Sequence, residues 1–549
     1  MFGTKPEKGS MAGKMMFDKR KISVSVYVYA AWVIIAFFSF LYISLIFNDN
    51  LLTDEAFTMQ LIQGTVPEII SGTIHDVHPP LYYLFAKLVL TVFGRGIPPQ
   101  KVLTIIPMVL ALCFGPLVVA KDYGERTGFW YTLFFACVPC TMEFALQIRM
   151  YSFAILFVTG TFLCSGRLRL KERVHTWLIY TLFILAACYT HYFALVSAGF
   201  LHILLGIRIY RDAFPQRNIM STDNGTSTAS KRKLMLTKIK PWLFSTLLIF
   251  VCYLPWAFIL LRQTYLVSQS YWIPPITLKT VYGYFTWAFG LEAYPITTPV
   301  FLILMGIMIF AFLLFKQKGT GIWPDALLVP ALTMGFGVAF SLLIRPIYRD
   351  QYIFPAMGIV FLFFAEGMEL FHNTFASGAV IEGMEELGLP KDFPESDFSG
   401  KNTPIEGGFS DADLMPKPIE WVFSLLVLAF LLFCGAIQYK ECFHQEYRST
   451  LVPELEEYFS EHLNADDCVV YNYELFGFIY EYYFPNNDLI YIEDYDPDND
   501  YQITYFLNTE HNPQFTYEQL VEWGYTMAYA GRMGVEQNDF DVYYMWKNE

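Results

Sequence analysis

The sequence is poor in charged residues, and in positive ones above all. Asp, Glu, Lys and Arg make up only 16% of the chain, and 51 acidic residues outnumber 37 basic ones, for a formal net charge of −14. Binding a nucleic-acid backbone needs a basic surface, which this balance does not supply. By contrast, 55% of the residues are hydrophobic and 18% are aromatic. This composition is typical of a membrane protein and predicts no nucleic-acid partner.

Cysteine patterns typical of metal sites are also missing. Cys137 and Cys140 form a single CxxC inside an apolar run, with no second pair to complete a zinc or redox site. Most of the other cysteines lie in apolar segments, where they are expected to act as small core residues. Cys442 and Cys468 are near the C-terminal region, and the sequence leaves open whether they form a disulfide.

Long apolar runs are abundant, and each crossing of a bilayer needs about 20 apolar residues. The first run is too long for a cleavable signal peptide, and no small-residue cleavage site follows it. The stretch 81–93 is too short to cross alone, so we expect a half-inserted or interfacial helix there. The sequence predicts eleven transmembrane helices, at residues 22–47, 99–120, 128–146, 150–166, 176–188, 190–207, 241–262, 297–315, 322–344, 352–372 and 419–438.

Lys and Arg residues predict the orientation of these helices, because cytoplasmic loops are enriched in both. They are concentrated near the N terminus and in segments 167–173 and 208–240, which eleven crossings put on one side, the cytoplasm. The predicted domains are a cytoplasmic leader (1–21), a transmembrane core (22–372) with a first outer loop (48–98), an acidic flexible cytoplasmic loop (373–418), a last transmembrane helix (419–438) and an extracytoplasmic domain (440–549).

The C-terminal region has short alternating segments in place of long apolar runs. The pattern predicts strands at 467–472, 488–494 and 501–508 and helices at 474–484 and 516–524, with two more strands after them. Strands that alternate with helices predict a compact α/β domain of the βαβ type. No phosphate-binding loop or metal motif is present in it.

Ionisable residues cluster in the predicted outer loops, close to the membrane boundary. "TDEAFT" follows the first helix and contains Asp54 and Glu55, and "HDVHPPLYYLF" places Asp76 and His78 before a Pro-Pro pair. Thr53 can cap a helix whose first turn favours acids, so the first pair alone has an equally good structural explanation. The second cluster adds titratable groups at the same depth, which favours a functional site.

Basic and aromatic residues of other outer segments extend this cluster. Arg149 lies in "LQIRMYSF", Arg345 and Arg349 lie in "IRPIYRDQYIFP", and His191 lies in "YTHY", a break between two helices. A single Arg at a helix end can simply extend to the interface. Together with carboxylates, however, arginines indicate a site where an acid or base meets a phosphate, which Arg binds bidentately. A lipid-linked phosphosugar would place its phosphate at this depth.

These segments resemble the GT-C superfamily of integral-membrane glycosyltransferases. The resemblance is carried by "TDEAFT", "HDVHPPLYYLFAKLVLTVFG", "LQIRMYSFAILF", "YTHYFAL" and "YRDQYIFPAMG", and it covers most of residues 20–370. In particular, the sequence is similar to glycosyltransferase family 39 and the RgtA/B/C/D-like proteins. These are related to protein O-mannosyltransferases and to the lipid A aminoarabinose transferase.

The resemblance implies a polytopic α-helical membrane protein with the GT-C fold and a small extracytoplasmic α/β domain. It implies an enzyme of the plasma (inner) membrane that moves a sugar, with inversion, from a polyprenyl-phosphate-linked donor to an extracytoplasmic lipid, glycan or protein acceptor. The predicted catalytic residues are Asp54, as the base, and Glu55, as its supporting neighbour. The predicted donor-binding residues are Asp76, His78, Arg149, Tyr151, His191, Arg345, Arg349 and Tyr352. Many family members have Lys where this chain has His78.

A required cofactor is not predicted, and two other function classes stay open. Some related oligosaccharyltransferases use a divalent metal, for which Asp54, Asp76 and His78 are candidate ligands without a diagnostic spacing. A transporter or flippase of lipid-linked sugars would also bind a phosphate, although transporters usually show repeated halves and broken helices at the midplane. A non-catalytic membrane scaffold would leave the outer cluster unexplained.

Overall fold

The structure, a computed structural model, describes most of the chain. The described residues are 25–47, 51–170, 173–213, 228–269, 273–288, 296–315, 323–376, 418–443, 461–462, 467–473, 477–483, 488–496, 503–508, 517–533 and 540–547. The predicted leader 1–21 and nearly all of the predicted acidic loop 373–418 therefore lie outside the described residues. Within these ranges the chain is mainly helical, with one sheet near its C-terminal end.

The helices follow one another through the first three quarters of the chain. They are α1 (Val26–Ser44), α2 (Thr53–Leu61), α3 (Val66–His75), α4 (Leu81–Phe93), α5 (Ile97–Phe114), α6 (Ala120–Tyr123), α7 (Glu125–Cys137), α8 (Pro139–Leu146), α9 (Tyr151–Leu170), α10 (Val174–Cys188), α11 (Tyr192–Ala213), α12 (Thr228–Gln269), α13 (Leu278–Thr286), α14 (Thr297–Phe315), α15 (Trp323–Leu343), α16 (Met357–Ala376) and α17 (Pro418–Phe443). A π-helical turn (Gly115–Val119) joins α5 to α6, and a 3-10 segment (Asp350–Ala356) precedes α16.

The predicted membrane-spanning helices are present. Within the described residues, eight helices are long and apolar enough to cross a membrane, and the pair α7–α8, bent by 65°, gives a ninth. The shorter apolar helices α10 and α14 occupy the two remaining predicted spans. Each of the eleven predicted transmembrane segments thus coincides with a helix or a helix pair, and the prediction of a multi-pass membrane protein is confirmed.

The helical bundle is organised around α9 and α16. Both are buried over most of their length, whereas α1, α12 and α15 expose most of theirs. The exposed surfaces of those outer helices are apolar, as contact with lipid tails requires. The first residue of α9 and the 3-10 segment before α16 both lie at one end of this enclosed centre, where the candidate site is found.

Local sequence signals explain the breaks that shape this end of the bundle. Val138 has an extended backbone (φ −73°, ψ 129°) before Pro139, which cannot continue α7, so the chain bends into α8. Pro80 lies at the start of α4, and Gly94, with a φ of 80°, ends it in a conformation that favours glycine. These breaks place short helices and loops, rather than continuous spans, around the site.

The C-terminal region forms a five-stranded mixed sheet. Its elements are β1 (Cys468–Tyr471), α18 (Gly477–Tyr483), β2 (Asp488–Tyr491), β3 (Ile503–Asn508), α19 (Tyr517–Glu522), β4 (Tyr525–Met533) and β5 (Phe540–Lys547). The strand order is β2-β1-β3-β5-β4, with β1 parallel to both neighbours and β5 antiparallel to both of its own. The parallel unit β1-α18-β2 is the predicted βαβ motif, and the prediction of a small α/β domain is confirmed. Cys442 and Cys468 are not joined by a disulfide.

Candidate active site

Short segments from five parts of the chain meet at one end of the bundle. They are the first turn of α2, the loop before α4, the residues between α8 and α9, the break between α10 and α11, and the 3-10 segment before α16. The backbone N–H of Leu81 donates to the carbonyl of Tyr189 at 3.0 Å, which joins the start of α4 to the α10–α11 break. Two motifs more than 100 residues apart in sequence are thereby held side by side.

Glu55 lies at the back of the site and is fully buried. Its Oε2 accepts a hydrogen bond from the backbone N–H of Leu52 at 2.8 Å, which caps the start of α2. Its Oε1 accepts from the backbone N–H of Ile148 at 2.7 Å, in the segment between α8 and α9. Glu55 therefore ties α2 to the residues beside Arg149, a geometry that suits the supporting neighbour of the sequence prediction.

Asp54 lies on the open side of the same turn, with its side chain 61% exposed. Its Oδ2 is 4.0 Å from Nη2 of Arg149, and its backbone carbonyl accepts from Nη1 of Arg149 at 3.2 Å. The two tandem acids thus face different environments. Only Asp54 offers a carboxylate to a molecule that arrives from solvent.

Arg149 is the buried charge at the centre of the site, with only 3% of its side chain exposed. Besides the Asp54 carbonyl, its Nη1 donates to Thr58 Oγ1 and to the hydroxyl of Tyr83, both at 3.2 Å. A guanidinium is a rigid fork of donors, so these acceptors fix its orientation and leave Nη2 directed between Asp54 and His78.

Asp76 and His78 form a hydrogen-bonded pair in the loop before α4. The distance between His78 Nδ1 and Asp76 Oδ2 is 3.0 Å. Burial alone would raise the pKa of Asp76, but the charge and hydrogen bond of His78 and the charge of Arg149 outweigh it and lower that pKa to about 2. An ionised carboxylate only accepts, so Nδ1 of His78 carries the hydrogen. The 3.5 Å approach of Arg149 Nη2 to Nδ1 is then a contact between two donors.

His191 lies in the α10–α11 break and is buried. Its Nδ1 accepts from the backbone N–H of Phe193 at 3.2 Å, so its Nε2 carries the hydrogen of the neutral ring. Burial, reinforced by the charges of His78 and Arg149, holds the pKa of His191 well below its usual value. The two histidines, whose ring centroids are 6.0 Å apart, therefore have opposite tautomers when neutral.

Aromatic residues of the predicted site close the wall around His191. The rings of Tyr151 and Tyr352 each lie 5.5 Å from the imidazole, and Tyr352 stacks on Phe193 with centroids 5.0 Å apart. The hydroxyl of Tyr151 accepts from Nε2 of Gln351 at 3.0 Å, which joins α9 to the 3-10 segment.

The two late arginines are half-buried in the segment that leads to Tyr352. Arg349 is close enough to Tyr151 and Tyr284 to interact with both electrostatically, which brings its charge to the edge of the site. Arg345 begins the same segment, four residues earlier in sequence. Its contribution to donor binding stays a prediction.

An apolar cavity of about 250 Å³ opens beside the two histidines, between α11, α12 and α15. Most of its wall is apolar and comes from residues such as Leu195, Leu260, Val267, Phe336 and Phe340. The polar lining residues are His78, His191, Tyr192, Gln263, Thr264 and Tyr352. The cavity can accept an apolar chain while a few polar groups contact its head.

Sequence reasoning missed the amides that hold these segments together. Nε2 of Gln263, in α12, donates to the carbonyls of Thr73 at 2.9 Å and Ile74 at 3.2 Å and also to that of Asp76, while its Oε1 accepts from the Tyr192 hydroxyl. The signal that could have found Gln263 was an amide that follows a long apolar run of α12. Gln351 sits directly beside Tyr352 and gave no separate signal.

The arrangement does not fit a divalent cation. Among the described residues, no three His, Cys, Asp or Glu side chains are grouped so that they could hold a metal ion. Of the three candidate ligands, Asp76 and His78 are bonded to each other. The guanidinium of Arg149 stands between them and Asp54, where its positive charge would repel a cation.

Comparison with solved structures identifies the architecture. ArnT from Cupriavidus metallidurans bound to undecaprenyl phosphate matches with a TM-score of 0.52 and 11% identity, over 94% of this chain and 97% of ArnT. The chain has the GT-C fold. No protein-family model and no curated protein sequence matches it.

Two further structures of GT-C proteins match more loosely. The apo state of the same ArnT gives a TM-score of 0.49 and 11% identity, with coverage of 94% of this chain and 98% of that one. An oligosaccharyltransferase from Archaeoglobus fulgidus, tethered to an acceptor peptide, gives 0.44 and 11% identity, with coverage of 87% and 69%. The match to ArnT with bound undecaprenyl phosphate confirms the GT-C fold that the sequence predicted, and at 11% identity the likeness concerns the fold alone.

Proposed function

We propose that this protein is a membrane glycosyltransferase that moves a sugar from a polyprenyl-phosphate donor to an acceptor on the outer face of the plasma membrane. One observation carries the proposal. Nη2 of Arg149 lies 4.0 Å from the exposed carboxylate of Asp54 and 3.5 Å from the imidazole of His78, and His78 lines an apolar cavity. A base and a binding site for a lipid phosphate are thus separated by one fixed positive charge.

The cavity face, which consists of His78, His191 and Tyr352, binds the donor. The polyprenyl chain lies along the apolar wall that α11, α12 and α15 provide. Its phosphate meets Nε2 of His78, and His191 Nε2 and the Tyr352 hydroxyl add hydrogen-bond donors. Support for a lipid phosphate also comes from ArnT, which shares the fold and was solved with undecaprenyl phosphate bound.

The solvent face, which consists of Asp54 at the start of α2, receives the acceptor. Its carboxylate is open to solvent and lies 4.0 Å from Nη2 of Arg149. An ionised carboxylate can accept the proton of an acceptor hydroxyl. Glu55 fixes the turn from behind through two backbone hydrogen bonds, so that Asp54 is presented in one position.

The chemistry is a single displacement at the anomeric carbon of the donor sugar. The acceptor oxygen attacks C1, and its proton passes to the Asp54 carboxylate. The bond between C1 and the phosphate oxygen breaks, and its electron pair stays on the phosphate. The charges of Arg149 and Arg349 stabilise that developing charge, and the imidazole of His78 contacts the phosphate. Because the nucleophile and the leaving group occupy opposite faces, the configuration at C1 inverts.

The test uses purified protein reconstituted in vesicles with a panel of radiolabelled polyprenyl-phosphate sugars and candidate acceptors. We expect label to move to an acceptor and the Asp54→Asn variant to transfer at least 10²-fold more slowly, which is the usual minimum contribution of a general base. Glu68→Gln is the matched control, since Glu68 is an exposed acid of α3 that accepts from Thr65 in a capping box, which Gln can preserve.

Two outcomes would contradict the proposal. Movement of the intact donor across the vesicle membrane without cleavage of its C1–O bond would identify a flippase. Equal transfer by Asp54→Asn and the parent protein would show that Asp54 is not the base.

A further inference from the structure

The C-terminal domain is packed directly against the helix that carries the candidate base. Its helix α18 lies on α2, where the ring of Phe478 meets that of Phe57 edge-on with centroids 5.3 Å apart. On the same face, Nε2 of Gln60 donates to the carboxylate of Glu481. The side chains of α2, α18, β1 and β3 form one continuous hydrophobic core rather than two separate ones.

A second contact fixes the same helix to the end of α4. Nη2 of Arg95 donates to the backbone carbonyl of Tyr482 at 2.5 Å, and its guanidinium lies 4.5 Å above the Tyr482 ring. Within the domain, α18 is held tightly to β1, since a Cβ at Gly477 would collide with the hydroxyl end of Tyr471. The helix α18 therefore links the sheet to α2, whose first turn is held on its other side by Glu55 and Arg149.

The contact with α18 continues into the active site through one ring. Phe57 packs edge-on against Tyr83 on its other side, with centroids 6.4 Å apart. The Tyr83 hydroxyl accepts from Arg149 Nη1 at 3.2 Å and lies 3.5 Å from Asp76 Oδ2. Phe57 also belongs to the helix whose first turn presents Asp54.

We infer that the C-terminal domain is a positioning element of the active site, which holds the solvent face in register with the cavity face through Phe478. The inference rests on the proposed transferase function for its kinetic readout. Loss of the Phe478 ring leaves space on one side of Phe57, so α2 can shift relative to Arg149. A displacement of about 1 Å at a reacting group can cost about 10²-fold in rate. The cavity lining, in contrast, contains no residue of α2.

The test compares Phe478→Ala with Phe478→Tyr, which keeps the ring, and with Tyr529→Ala, an aromatic on β4 that is 59% exposed. Transfer rates are normalised to the number of donor-binding sites, so that unfolded protein does not contribute. Hydrogen exchange of the α2 amides is measured in the same preparations. We expect Phe478→Ala to lower kcat about 10- to 100-fold with an unchanged KM for the donor and to speed exchange in α2. Phe478→Tyr and Tyr529→Ala should leave both unchanged.

Each alternative result overturns the inference. If Phe478→Ala keeps its kcat per binding site, or if the loss appears as a higher KM for the donor, the domain does not position the base. If the parent protein transfers no sugar at all, the proposed function fails, and the exchange measurement alone decides. Unchanged exchange in α2 would then show that the domain does not hold that helix.

Discussion

The solvent face and the cavity face of the site are built in opposite ways. Asp54 on the solvent face is largely exposed and is held through its backbone, whereas His78 and His191 on the cavity face are enclosed and have their tautomers set by hydrogen bonds. An exposed base can exchange its proton with water after each turnover, while an enclosed face can bind a lipid and exclude water. The difference indicates that binding and proton transfer are assigned to separate faces.

The largest effects should come from replacing one key side chain on each face and comparing the two variants. Asp54→Asn should lower kcat about 10²- to 10⁴-fold without changing the KM for the donor, because it removes only the base. His78→Ala should instead raise that KM, because it removes a contact to the donor phosphate. Steady-state kinetics of both variants with one donor would check the division. A higher KM for the donor in Asp54→Asn would show that Asp54 also contributes to donor binding, which would contradict this division.

A somewhat smaller loss of activity is expected when the guanidinium of Arg149, which lies between the two faces, is replaced by an amine. Arg149→Lys keeps the charge, and one ammonium could still donate to Thr58, Tyr83 and the Asp54 carbonyl, which are all acceptors of Nη1. A lysine has no second nitrogen, however, to replace Nη2 between Asp54 and His78. We therefore expect kcat to fall about 10- to 100-fold, because the charge is no longer fixed beside the reacting groups. Transfer assays on the variant, with circular dichroism as the control for folding, measure this. Full activity in Arg149→Lys would mean that only the charge matters.

The contribution of Asp76 to the stability of the fold depends on pH in the acid range. Because its folded-state pKa is lowered to about 2, this contribution is fully present above the unfolded value near 3.8 and is lost as the pH falls toward 2. From pH 5 to pH 8, the stability of the parent and that of Asp76→Asn should therefore change by the same amount. Thermal unfolding at several pH values measures it.

The smallest effect is expected from Gln263, whose hydrogen bonds join α12 to the residues before Asp76. Gln263→Leu removes the donor to the carbonyls that precede Asp76 and should destabilise the protein by about 1–3 kcal/mol, since buried carbonyls lose their partner. Thermal unfolding in detergent, with Thr264→Val as the neighbouring control, measures this. Equal melting temperatures for Gln263→Leu and the parent would show that the hydrogen bonds of Gln263 do not stabilise the segment before Asp76.

The fold was accessible from sequence because its signals are local. Apolar runs of bilayer length predicted the spans, and the alternation around 467–508 predicted the parallel unit of the sheet. The motifs around Asp54, Asp76 and His191 were also visible, and the structure brings them together. Their spacing could not predict which side chains are buried and which face the solvent. The capping hydrogen bond from Leu52 to Glu55 is local, but the second partner of the buried carboxylate, Ile148, is 93 residues away.

The docking of the C-terminal domain was likewise beyond the reach of sequence. Phe57 and Phe478 are ordinary aromatic residues in two short helices, and they are more than 400 residues apart in sequence. Such long-range pairs depend on how whole elements pack, which periodicity does not encode. The amide of Gln263 belongs to the same class, since its acceptors lie on a different helix.

A structure of the protein with a polyprenyl phosphate bound tests the division of the site most directly. We expect the phosphate to lie within hydrogen-bond distance of Nε2 of His78 and the lipid chain to follow Phe336 and Phe340 between α12 and α15, while the Asp54 carboxylate stays open to solvent. A phosphate bound against Asp54, or a lipid chain outside this cavity, would contradict it.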